Sequence, residues 1–244
     1  MDSIEWVAGN DLERMLRFAL GGMDSRKRLL FGCACCRLAW DLLQDERSRA
    51  VVEAAERFAN GQAGARELGA AEEAATAAVQ SLALVWPTRA EPGEPLVRAR
   101  ASAQGRAMHV ASVLTRSQYE LRSLAMNIAE ALAWSAGEVP QVWDEAAAKT
   151  YHAVLIRECA LLRDIVGNPF RPVTLDPAWL RWNDGCVPKI AQSIYEERRF
   201  GELPILADAL EDAGCDNADI LAHCRGPEPH VRGCWAVDAI LGKE

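Results

Sequence analysis

Three cysteines and two histidines crowd into residues 203–243, LPILADALEDAGCDNADILAHCRGPEPHVRGCWAVDAILGK, in a chain of 244 residues that has eight cysteines and four histidines in all. Thiolates and imidazoles are the donors zinc prefers, and four of them set tetrahedrally complete a site. The expected ligands are Cys215, Cys224, His230 and Cys234, with His223 as an alternate. His230 and Cys234 stand four apart, so a helix beginning near Val231 would aim both at one point. Cys215 falls in a turn and Cys224 at a helix end, both places from which a side chain can reach across. No C-x-x-C knuckle is present, and that spacing is what makes a zinc signal specific. The competing expectation is that the cysteines fill small gaps in a core while the histidines cap helix ends.

A second cysteine cluster, Cys33, Cys35 and Cys36, lies in FGCACCR. Redox or metal chemistry is one reading, but the cluster sits on the helix whose pattern is the most buried in the chain. A buried thiol has a raised pKa and is inert, so core packing is the plainer account. Asp208, Glu211, Asp212, Asp216 and Asp219 form an acidic run that reads as the solvated face of amphipathic helices. Phe170, Arg171, Trp179 and Trp182, in NPFRPVTLDPAWLRWNDG, could line a groove for a partner, because Trp and Arg are enriched at binding hot spots. They would serve equally well to anchor a connection to its own core. His109 and His152 are isolated. There is no G-x-S-x-G, P-loop, dinucleotide fingerprint or H-E-x-x-H.

The elements that must position these residues read as helices. Asp11 can cap one running to about Leu20, and Asp24 or Ser25 another over 26–43. On the latter, Leu29, Cys33, Cys36, Trp40 and Leu43 form one stripe and Phe31, Cys35, Leu38 and Leu42 its neighbour, so much of its circumference is expected to be buried. An amphipathic helix follows over 45–59 and an Ala-rich one over 67–85, then PTRAEPGEP (87–95), the best linker in the chain. A helix from about Leu96, a capping box at Ser117–Glu120 with Leu121, Leu124, Ile128 and Leu132 behind it, and a long helix over 144–165 complete the middle. The prolines of 167–185 predict an extended connection. Short helices are expected over 187–199, from Pro204 to Gly214, from Asp216 to Gly226 and over 231–241. The expected fold is therefore all-α, a multi-helix array or bundle with C-terminal short helices after an extended prolyl-aromatic connection. Its parts are 1–86, a linker at 87–95, 96–166 and 167–244, packed as one unit.

Composition agrees with that class. Half the residues are hydrophobic and a quarter charged, as in ordinary globular proteins. The net charge of −8 disfavours a phosphate backbone as partner. The two short helices around Gly214 have a helix-turn-helix outline, but the second opens with Asp216 and Asp219. The start, MDSIEWVAGNDLERM, has acids where a secretory signal has bases, and no apolar run is long enough to span a bilayer, so a cytoplasmic protein with reduced thiols is expected.

GNPFRPV (167–173), LPILADALEDAGC (203–215), HCR (223–225) and HVRGCW (230–235) together resemble the C-terminal signature of a bacterial protein family associated with planctomycetes, whose members also begin with a cysteine-rich helix like FGCACCR (31–37). That family has no assigned activity, so the resemblance implies no catalytic residues. The functional expectation is a non-catalytic binding or accessory module without a cofactor, whose partner is another protein. The alternative is a zinc-dependent or thiol-dependent enzyme centred on the C-terminal Cys/His group.

Overall fold

The computed structural model describes residues 1–85, 95–114, 121–137, 143–227 and 229–243, with backbone alone at 82–85 and 95–102. Among the described residues there are twelve α-helices and no strand, so the chain is all-α as its capping residues and helical periods predict. No helix there is long and apolar enough to cross a membrane. The chain divides into two compact units, Asn10–Cys159 and Met1–Gly9 with Ala160–Glu244.

Asn10–Cys159 begins, after α1 (Ser3–Ala8), with α2 (Leu12–Ala19), α3 (Ser25–Leu38) and α4 (Glu46–Ala59), whose N-caps are Asp11, Asp24 and Asp45. Each Asp side chain accepts a first-turn backbone N–H that would otherwise lack a partner. α5 (Ala65–Val85), α6 (Pro95–Val113) and α7 (Leu121–Ala136) follow, and α8 (Glu145–Val166) leads out of the unit. Neighbours in sequence pack together from α3 to α7, and α7 returns to α3. The middle of α3, from Leu30 to Cys36, is buried throughout. Gly32 allows this, because a Cβ there would lie 2.6 Å from Cδ1 of Leu114 and 3.4 Å from Cδ1 of Leu124. At its end Arg37 makes a two-pronged ion pair with the buried Glu56, at 2.7 and 2.9 Å, and lies over the Trp40 ring.

The expected linker at 87–95 falls between α5 and α6, which pack against each other in one unit. Residues 87–94 and the capping box at 117–120 lie outside the described residues. The division falls inside α8, because the apolar stripes of α3–α7 close on themselves while the C-terminal helices have a core of their own.

That second core gathers Trp179, Val187, Ile194, Leu203, Leu206, Leu210 and Ile220 with Cys215, Cys224 and Cys234. It is built from α9 (Pro177–Glu197), α10 (Leu203–Asp212), α11 (Ala218–Arg225) and α12 (Trp235–Leu241). Two sequence expectations change here. The extended connection is shorter than 167–185: Asp176 caps α9, which makes one turn before a break. At the break Asn183, Asp184 and Gly185 have φ of 46°, 55° and 75°, the left-handed region that Asn, Asp and Gly tolerate best. The expected helix over 187–199 is the part of α9 beyond it. The last helix begins at Trp235 rather than Val231, since residues 231–234 form a turn closed by Cys234 N–H donating to Val231 O at 3.0 Å. α1 was not anticipated; Asp2 and Glu5 form its capping box, a signal too short to show a period.

Candidate metal centre

Three chain segments of the unit Met1–Gly9 with Ala160–Glu244 meet at one point. The last turn of α8 supplies Asp164 and the last turn of α11 supplies His223. The stretch before α12 supplies His230 and, at the helix N-cap position, Cys234. Gly233, with φ of 95°, turns the chain between the last two. Asp164 fastens this stretch to α8: one carboxylate oxygen accepts the backbone N–H of Val231 at 2.9 Å, and the other lies 2.7 Å from Nδ1 of His230.

Nε2 of His223 lies 3.1 Å from Sγ of Cys234 and 3.4 Å from the same Asp164 oxygen that contacts His230. One donor atom from each of the four residues falls within 4.8 Å of every other. The site is closed: side-chain exposure is 3% at Asp164, 6% at His230 and 17% at His223, and Cys234 is fully buried. A tetrahedral zinc ion with ordinary bond lengths sets its ligand atoms about 3.4–3.6 Å apart. The sulfur–nitrogen and nitrogen–oxygen distances at His223 are already close to that. The 2.7 Å contact of His230 with Asp164 is a hydrogen bond that must open by about 0.7 Å to admit the ion.

Burial works to raise the Asp164 carboxyl, but the contacts and charge of His223 and His230 outweigh it and hold the group below the ordinary carboxylate range. Asp164 is therefore a standing anion facing two imidazoles. The Cys234 thiol is pushed well above its ordinary value, first by burial and then by the Asp164 charge; the backbone amides of Val237 and Ala236 pull the other way. A nucleophilic cysteine needs the opposite shift. A Cys–His–Asp relay also uses opposite nitrogens of one imidazole, one toward the nucleophile and one toward the carboxylate. Here a single nitrogen, Nε2 of His223, faces both. The arrangement is a convergence of donors rather than a relay.

Of the ligands expected from sequence, His230 and Cys234 belong to this group, together with the alternate His223. Cys215 and Cys224 do not: both are buried in the apolar core, where burial raises Cys215 and pushes Cys224 up to about 12. Asp164 was missed, because an acid near the end of a long amphipathic helix has the pattern of a solvated residue. A turn, and not a helix beginning near Val231, brings His230 and Cys234 together. The four partner-binding candidates differ in exposure. Trp179 is buried in the core, Trp182 is half-buried, Phe170 is exposed and Arg171 pairs with Asp219 at 3.2 Å. In the other unit Cys33, Cys35 and Cys36 are buried, and no second group of potential metal donors occurs among the described residues. No family model, curated protein or solved structure matches the chain.

Proposed function

We propose that this protein is a metal-binding helical module whose C-terminal unit holds one zinc-class divalent ion on Asp164, His223, His230 and Cys234. The observation that carries the reading is the approach of a thiol and a buried carboxylate to the same imidazole nitrogen. One thiolate and two imidazoles suit zinc and its neighbours; calcium and magnesium call for oxygen donors throughout. Four protein donors leave no open position for water or substrate, which is the pattern of a structural centre. The ion's chemistry is then to bind the ends of α8 and α11 to the start of α12, and its binding energy becomes folding energy. This supports the accessory-module expectation over a zinc or thiol enzyme. His223, His230 and Cys234 fall within the HCR and HVRGCW motifs that carry the planctomycete-family resemblance, so we extend the centre to that family.

The test is elemental analysis of protein purified without chelator, followed by replacement of the metal with cobalt. The expected result is about one equivalent of zinc, and a tetrahedral cobalt spectrum with a thiolate charge-transfer band that the Cys234→Ala/His230→Ala variant lacks. Metal-free protein that gives no such band on cobalt addition refutes the proposal.

A further inference from the structure

The N-terminal segment Met1–Gly9 belongs to the same compact unit as the metal centre, and a continuous line of contacts joins them. Trp6 is 1% exposed, and its Nε1–H donates to the carbonyl of Gly167 at 2.9 Å. Arg163 reaches back to the same segment, donating from Nε to Trp6 O at 2.8 Å and from Nη2 to Gly9 O. Gly167 has φ of 74°, and a Cβ there would stand 3.0 Å from Cγ of the Trp235 ring. Trp235 in turn packs on the His223 imidazole, their centroids 4.9 Å apart. Arg163 also adjoins the ligand Asp164 in sequence.

His223 depends on that packing. A metal-bound histidine usually donates its second ring N–H to a carbonyl or carboxylate, which fixes the ring. Among the described residues, the hydrogen-bond and ion-pair contacts of His223 all involve Nε2; its ring plane is otherwise set by Trp235 and by His230, at 4.8 Å between centroids. The place of Trp235 is set by Gly167, and the Gly167 carbonyl is tied by Trp6.

We infer that Trp6 is a positioning residue for the metal centre, and that α1 is a strap whose docking and metal binding stabilise each other. This rests on the metal reading above. Because the coupling is one free energy, it acts equally in both directions: the ion tightens the strap by the factor by which the strap tightens the ion.

The experiment uses the full chain. Trp6→Phe keeps an aromatic ring and removes the Nε1–H. Cobalt affinity is measured by competition with a chelator, and backbone hydrogen exchange of residues 1–9 is followed in the wild type with and without zinc. The expected results are an affinity about tenfold weaker in Trp6→Phe, the usual scale for loss of an outer-shell partner, with the thiolate band retained. Zinc should also slow exchange of the Trp6 and Gly9 amides, which donate to Asp2 and Glu5. Gly167→Ala, acting from the other side by crowding Trp235, should shift the cobalt band. Wild-type affinity in Trp6→Phe overturns the inference, since a merely structural tryptophan would lower stability and leave affinity alone. Should that variant not fold, exchange in the wild type decides: no change on zinc binding, or equal change across the whole unit, sinks the strap. A wild-type protein that gives no thiolate–cobalt band sinks the metal reading and the strap together, whereas a normal band with unaltered exchange sinks only the strap.

Discussion

Two carboxylates on α8, Glu158 and Asp164, are both buried, and both have cysteines in their surroundings, yet they are opposites. Glu158 lies with the Cys33, Cys35 and Cys36 group of one unit; among the described residues no hydrogen bond of normal geometry reaches either of its oxygens. The Cys35 thiol is the polar group that acts on it, too weakly to offset burial, so its carboxyl is pushed well above the ordinary range. Asp164 has two imidazoles and a backbone amide, and is held below it. The difference teaches that cysteines and an acid do not by themselves make a candidate metal site. Nitrogen donors that converge, and that let the acid stay charged, are what separate the second cluster from the first. Around Glu158 the Cys35 thiol is raised by burial and then by repulsion with the acid, and Cys36 is pushed up to about 12 by burial, with Arg37 pulling down and Glu158 adding a smaller push, which is the electrostatics of packing.

Removing Asp164 breaks the comparison most severely. Asp164→Ala leaves His230 and the Val231 amide without their carboxylate and takes away a proposed ligand. Loss of one partner of a buried charged contact costs about 3–5 kcal/mol, to be read from chemical denaturation. Metal binding should vanish in the same variant. A loss below about 1 kcal/mol would place Asp164 among ordinary surface acids and remove the contrast with Glu158.

Glu158 should respond in the other direction. Glu158→Met keeps a straight chain of similar length and deletes two buried oxygens, and relief of such a group is worth about 1–3 kcal/mol. Its pH dependence follows from linkage. An acid whose folded pKa is raised binds its proton more tightly in the native state, so its contribution is fully present below the ordinary value of 4.5 and is lost as pH rises toward the folded value. The stability gain of Glu158→Met over wild type should therefore widen from pH 4.5 toward neutrality. A gain that is constant with pH would mean that Glu158 titrates normally.

These contrasts were only partly legible in the chain. Helices were, because an Asp N-cap and a 3.6-residue period are local: Asp11, Asp24 and Asp45 start helices where they stand. The buried character of α3 was readable from its two apolar stripes. His223, His230 and Cys234 stood out by residue type, but Asp164 lies 66 residues before His230, and nothing local marks an acid that a distant turn will cover. Cys215 and Cys224 had the right chemistry in the wrong place, since only tertiary packing decides whether a thiol faces a neighbouring donor or a leucine. The turn at 231–234 was hidden because Val, Arg, Gly and Cys there continue a pattern that also fits a helix; the positive φ of Gly233 marks where the chain turns. Trp179 was balanced between groove and core, and the first turn of α9, capped by Asp176, carries it inward.

The finest test of the comparison is thiol chemistry, where the energies are small but the readout is residue by residue. Seven of the eight cysteines are buried and Cys186 is half-buried. A thiol-specific reagent acting on the native protein should modify Cys186 first, with the others appearing only as the fold opens, because a buried thiol offers neither access nor thiolate. The two clusters should then part company on addition of a chelator. On the proposed reading, labelling of Cys234 should accelerate, since loss of the ion would loosen the join of α8, α11 and α12, while Cys33, Cys35 and Cys36 keep their rates. Peptide mapping by mass spectrometry reads both sets in one sample. Equal acceleration at all four would show a general loosening of the chain, and no acceleration at Cys234 would place it with the packing cysteines of α3.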